Sequence, residues 1–185
     1  MKKIYLAGPD VFLSDSIEQG QRKKELCQKY GFEGLYPLDN EIEDTFEHKA
    51  DMGLHIAQAN EKLIQECDAV IANLTPFRGT SADVGTVYEI GLAKGLNKMV
   101  LGYSNDGRNF LQRNLDELTG VRQQPNASYI DKENMALEDF DLVDNLMIDG
   151  GVHYPIIKNE VYQTGERFRD LEAFEACLMR LANHA

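Results

Sequence analysis

The chain is short of cations. Nineteen Lys and Arg stand against 31 Asp and Glu in 185 residues, a formal net charge of −12 with an isoelectric point near 4.7. Such a surface repels polyanions, which argues against duplex DNA or RNA as a partner and leaves small neutral substrates open. Cysteine is scarce as well. Cys27, Cys67 and Cys177 are odd in number and far apart, no CxxC pair occurs, and the four histidines are scattered. Neither a disulfide framework nor a zinc site is therefore expected, and no metal or other cofactor is predicted. Long apolar runs are missing. After Met1-Lys2-Lys3, the run from Ile4 to Ala7 is too short for a secretion signal or a bilayer span. This predicts a cytoplasmic protein with no membrane partner. Gly8-Pro9-Asp10 matches neither GxGxxG nor GxxxxGK[ST], so NAD or ATP binding gains no support. Repeats and low-complexity tracts are also lacking.

What is present suits one α/β domain over residues 1–185, since 43% of the chain is apolar, enough for a core. Ile4 to Ala7 reads as a buried strand and 15–30 as a polar helix ending at Gly31. Gly34 to Leu38 reads as a second strand halted around Pro37, and 41–50 as a loop or frayed turn. A helix follows from about Asp51 to Glu66, and then Ala69 to Leu74, continuous and apolar, as a strand covered on both faces. Thr75 to Gly79 is a loop, Val84 or Gly85 to Gly95 a helix, Met99 to Gly102 a fourth strand, and Asp170 to Asn183 an amphipathic helix. Residues 103–145 lack clear periodicity and read as an insertion with one or two short helices, with 104–140 either a lid or an assembly surface. The alternation predicts βαβ units in a flavodoxin-like or Rossmann-like doubly wound parallel sheet of about five strands with flanking helices. Ligands then bind beyond the C-terminal strand ends, where Gly8 to Asp10, Asp39, Phe77, Arg78 and Asp83 fall.

Four residues break the expected patterns. Glu89 has Gly85, Thr86, Leu92 and Ala93 three and four places away, so it lies on the small, apolar face of its helix. A glutamate there is either paired, for instance with Lys94, or used, and Gly85 leaves room for a ligand one turn earlier. Asn60 falls in the stripe Ile56, Ala57, Leu63, Ile64. It either caps a neighbouring loop or hydrogen-bonds a ligand. Asp83 is either a helix N-cap or a second carboxylate lining a cleft with Glu89. Tyr5, between Ile4 and Leu6, either fills the core or points its hydroxyl at a carboxylate.

Four blocks in order resemble the nucleoside 2-deoxyribosyltransferase family from Lys3 to about Val152. They are Ile4 to Pro9 with Phe12; Pro37-Leu38-Asp39-Asn40; Cys67 to Gly79 continuing through Asp83 to Gly91; and Asn145-Leu146-Met147. The resemblance implies that Glu89 is a nucleophile, that Tyr5 holds its carboxylate, and that Asp83 binds the sugar 5′-hydroxyl. It implies that Asn145 and Met147 reach into a partner's site, hence a homo-oligomer, at least a dimer. Asn60 aligns where some members carry an Asp that handles the base proton. Asn has no titratable proton, and Asp10, at the mouth of strand one, is the substitute. The implied activity is transfer of 2-deoxyribose between free nucleobases by a retaining double displacement, with weak nucleoside hydrolysis. One alternative is a deoxynucleoside 5′-monophosphate N-glycosidase, in which Ser would be expected at position 83. Another is a non-catalytic nucleoside or nucleotide sensor domain.

Overall fold

The computed structural model describes residues 1–40, 46–161 and 165–183. Strands β1 (Lys2–Ala7), β2 (Phe32–Leu35), β3 (Ala69–Asn73), β4 (Met99–Ser104) and β7 (Ile157–Lys158) form one sheet in the order β2-β1-β3-β4-β7. Every pairing in it is parallel. A short antiparallel pair, β5 (Arg122–Gln123) and β6 (Tyr129–Ile130), stands apart. The helices are α1 (Ser16–Lys29), α2 (Lys49–Glu66), α3 (Val84–Gly95), α4 (Phe110–Glu117), α5 (Leu146–Asp149) and α6 (Glu172–Ala182). This is the open, doubly wound, flavodoxin-like arrangement, with the strand order reversing between β1 and β3.

Side chains alternate across the sheet, so each strand feeds two cores. Ile4, Leu6, Ile71, Leu101 and Tyr103 pack with Cys27 of α1 and with Phe174, Cys177 and Leu178 of α6. Tyr5, Ala7, Val70, Ala72 and Val100 pack on the other side, with Ile64 of α2, Ile90 and Ala93 of α3, and Ile148 of α5. Both faces are covered, which explains the unbroken apolar run of β3. All three cysteines are free and buried.

Several boundaries differ from the sequence reading. The second strand is Phe32–Leu35, not 34–38: Phe32 is buried and pairs with Lys2, while Pro37, lacking an N–H, opens a 3-10 turn over Pro37–Asp39. Helix α2 starts at Lys49, so only part of 41–50 is loop, and 41–45 lie outside the described residues. Strand β4 runs on to Ser104. Tyr103, expected in the insertion, pairs with Asn73 and Ile157 and is fully buried. Among the described residues no helix is long and apolar enough to cross a membrane, and no group of His, Cys, Asp or Glu is arranged to hold a metal ion.

Candidate active site

Glu89 and Tyr5 meet. Tyr5 sits on the face of β1 that α3 covers, and its hydroxyl donates to Glu89 Oε1 at 2.6 Å. Lys94, the alternative partner, instead donates to the Gly150 carbonyl at 3.0 Å. Among the described residues Oε2 of Glu89 takes no hydrogen bond. Burial pushes the Glu89 carboxyl up to about 7; the Tyr5 bond pulls it down and the charge of Asp83 adds to the rise. The Tyr5 phenol is driven far above its ordinary range, first by burial and then by Glu89, so it remains a donor. A carboxylate that retains one free oxygen, and titrates near neutrality, can act as a nucleophile.

Asp83 is the N-cap of α3. Its Oδ2 accepts from the Thr86 N–H at 2.9 Å and the Thr86 hydroxyl at 3.1 Å. The other oxygen makes no hydrogen bond among the described residues, so capping uses half of the carboxylate. A Cβ on Gly85 would come within 3.1 Å of Asp83 Oδ2, and Gly85 itself is exposed. Asn60 is partly buried, and its Oδ1 accepts from Asn40 Nδ2 at 3.2 Å, so it pins the loop after β2. This is the loop-capping alternative. Asp39 is held in the same loop, accepting from the Tyr36 N–H and from Lys24 Nζ at 2.7 Å.

Gly8 and Asp10 prove to be parts of a buried turn. Asp10 has no exposed surface; it pairs with Lys23 and accepts from Asn73 Nδ2 at 2.8 Å. The expectation that Asp10 lies at an open mouth is therefore corrected: the carboxylate points inward because Lys23 reaches it from α1. Gly8 (φ 153°) is needed for the same reason, since a Cβ there would lie 2.7 Å from Asn73 Cβ.

The segments beyond β1 and β3 meet through aromatic side chains. Phe12, beyond β1, stacks on Phe77, beyond β3, with centroids 5.2 Å apart and planes 9° from parallel. The guanidinium of Arg78 lies 4.6 Å from the Phe77 ring centre. These two segments flank the point where strand order reverses. Asn145 and Met147 belong to α5 and its N-cap. Asn145 caps α5, accepting from the Met147 N–H at 3.0 Å. Met147 is 73% exposed and lines an apolar groove with Val87, Gly91 and Lys94. Those α3 positions lie about half a turn around the helix from Glu89, so the chain does not bring Met147 to its own Glu89.

The sequence reading missed Arg113 and Asp144, both fully buried and bonded to the loop before Asp83. A signal existed: Asn109 and Gln112 form a capping box that fixes the start of α4 and puts Arg113 in its first turn. It also missed Tyr88, whose hydroxyl donates to Glu61 at 2.5 Å and ties α3 to α2.

An open doubly wound sheet with a carboxylate held by a phenol of β1 defines an α/β protein of the flavodoxin-like class, in which ligands are taken beyond the strand ends. The model of the nucleoside 2-deoxyribosyltransferase family matches residues 4–147, and the chain belongs to that family. A 2-desoxiribosyltransferase from Leishmania mexicana is similar over 100% of this chain and 99% of its own, at 28% identity and a TM-score of 0.69. A conserved protein from Enterococcus faecalis V583 shares the fold at 18% identity and a TM-score of 0.58, covering 100% of this chain and 98% of its own. An uncharacterised Schizosaccharomyces pombe protein is 35% identical over 112 residues, 60% of this chain and 53% of that protein, so the match spans about half of this curated relative.

Proposed function

We propose that the protein transfers 2-deoxyribose between nucleobases through a covalent deoxyribosyl-Glu89 ester. The observation that carries this is the Tyr5–Glu89 pair: the phenol occupies Oε1 and leaves Oε2 for C1′. In the first step Oε2 bonds to C1′, the C1′–N bond breaks, and its electrons leave with the base, which takes up a proton. In the second step the nitrogen of an incoming base bonds to C1′, the ester C–O bond breaks, and that base loses its proton. Two inversions give net retention. Water in place of the second base gives slow hydrolysis. The free Asp83 oxygen accepts from the sugar 5′-hydroxyl, and the Phe12–Phe77–Arg78 stack offers the base a flat, apolar rim. Asn60 has no titratable proton to transfer, and buried Asp10 is a poor substitute, so a group other than these two protonates the base.

Asp83 also favours a nucleoside over its 5′-monophosphate, because two anions would face each other. Asn145 and Met147 complete the site of a neighbouring copy, which makes the working protein a homo-oligomer, at least a dimer. Residues 1–185 act as one unit, with an insertion or lid within 104–140 that begins where Ser104 ends β4, in the cytoplasm and without a cofactor. The test is a base-exchange assay supplying 2′-deoxyinosine, or its 5′-monophosphate, with free adenine. Deoxyadenosine should form from the nucleoside, and Glu89→Ala should abolish it. Preferential turnover of the monophosphate would replace this reading with the N-glycosidase one, and nucleoside binding without turnover would favour the sensor.

A further inference from the structure

We infer that Arg113 and Asp144 are positioning residues that set recognition of the sugar 5′-hydroxyl by clamping the loop that presents Asp83. The inference rests on the nucleoside reading above. Asp83 has spent Oδ2 on capping α3, so the direction of its other oxygen follows the backbone entering the helix. That backbone, Thr80-Ser81-Ala82, is held from outside the sheet. Arg113 of α4 donates from Nε to the Thr80 carbonyl at 2.6 Å. Asp144, just before α5, accepts from Ser81 Oγ at 2.5 Å and from the Ala82 N–H at 2.9 Å. Asn114, beside Arg113, accepts from the Thr80 hydroxyl at 2.7 Å. The two charges then close on each other, Arg113 Nη2 to Asp144 Oδ2 at 3.3 Å, both side chains with no exposed surface.

A buried ion pair is a poor source of stability, because desolvation cancels much of the attraction and apolar residues often do as well. What this pair supplies is geometry. Its remaining bonds run to the Arg108 and Val143 carbonyls and the Asn145 N–H, so the clamp is fixed at several points. The insertion without periodicity in sequence therefore holds the loop that enters α3. Neither residue has a hydrogen bond to Glu89 or Tyr5, so the clamp governs where the sugar is gripped, not the attack.

The test compares kcat and KM for 2′-deoxyinosine and 2′,5′-dideoxyinosine, the second lacking the hydroxyl Asp83 accepts from. The unaltered protein should prefer the 5′-hydroxyl by about ten- to a hundredfold in kcat/KM, the worth of one hydrogen bond to a charged group. In Ser81→Ala, and in the charge-free pair Arg113→Met with Asp144→Leu, that preference should fall below about threefold. The change should come from KM for 2′-deoxyinosine, with kinetics on the dideoxy analogue retained. Ser81→Ala buries no unpaired charge, so it reads the clamp even where the double variant folds poorly. Equal losses on both nucleosides, an unchanged preference, or no preference in the unaltered protein would overturn the inference. Base exchange on neither nucleoside by the unaltered protein would remove the nucleoside reading, and this inference with it.

Discussion

A carboxylate facing the layer between sheet and helix either takes a proton or keeps a donor, and Glu89 sits near the balance. Burial raises its pKa to about 7, against a downward pull from Tyr5. Attack on C1′ needs the ionised form, so kcat/KM should rise with pH through about 7 and level off above it. Tyr5→Phe removes the bond that favours the anion, so its rising limb should shift to higher pH in a pH–rate profile; an unmoved limb would show that the phenol does not tune the carboxylate. At this scale much was legible. Helical spacing put Glu89 on the small face of α3. Alternation put Tyr5 opposite Ile4 and Leu6, but did not say which face of β1 meets which helix. Asp10 was misjudged because nothing local shows that Lys23, thirteen places on along α1, turns inward to meet it.

Among the elements, the turn after β1 is the most constrained. Gly8, Asp10 and Asn73 lock the ends of β1 and β3 together, and Lys23 neutralises the buried charge beneath them. Lys23→Met leaves Asp10 buried without a countercharge and should cost about 3–5 kcal/mol in urea unfolding. Lys24→Ala, which breaks the half-exposed pair with Asp39, should cost less than about 1 kcal/mol. Similar midpoints for the two would show that Asp10 is not tied to Lys23. The long elements were readable because their periodicities are sustained. Strand β2 was placed two residues late because Pro37 looked like a strand end and not the start of a 3-10 turn. Strand β7, two residues long, is defined by its pairing with β4 and carries no pattern of its own.

For the whole molecule, the sheet order brings the segments after β1 and β3 side by side, while α5 carries Met147 to a groove along the face of α3 turned away from Glu89. The fold class was legible from alternating elements, and the family resemblance implied that Asn145 and Met147 serve a neighbour's site; the path by which 104–145 returns to the sheet was not legible, because it carries no sustained pattern. If the site is completed by a neighbour, mixing Glu89→Gln chains with Asn145→Ala chains should restore base exchange that each lacks alone. Mixed assemblies contain sites with both residues intact, and failure to restore activity in demonstrated mixed oligomers would contradict completion in trans. The central claim is that Glu89 becomes covalently bound to the sugar. Incubation with a 2-fluoro-2-deoxy nucleoside, followed by intact-mass and peptide analysis, tests it most directly. The account predicts one added fluorodeoxyribosyl group per chain, located on Glu89 and released by an added base. Unchanged mass in protein that demonstrably binds the nucleoside, or a label on another residue, would contradict it.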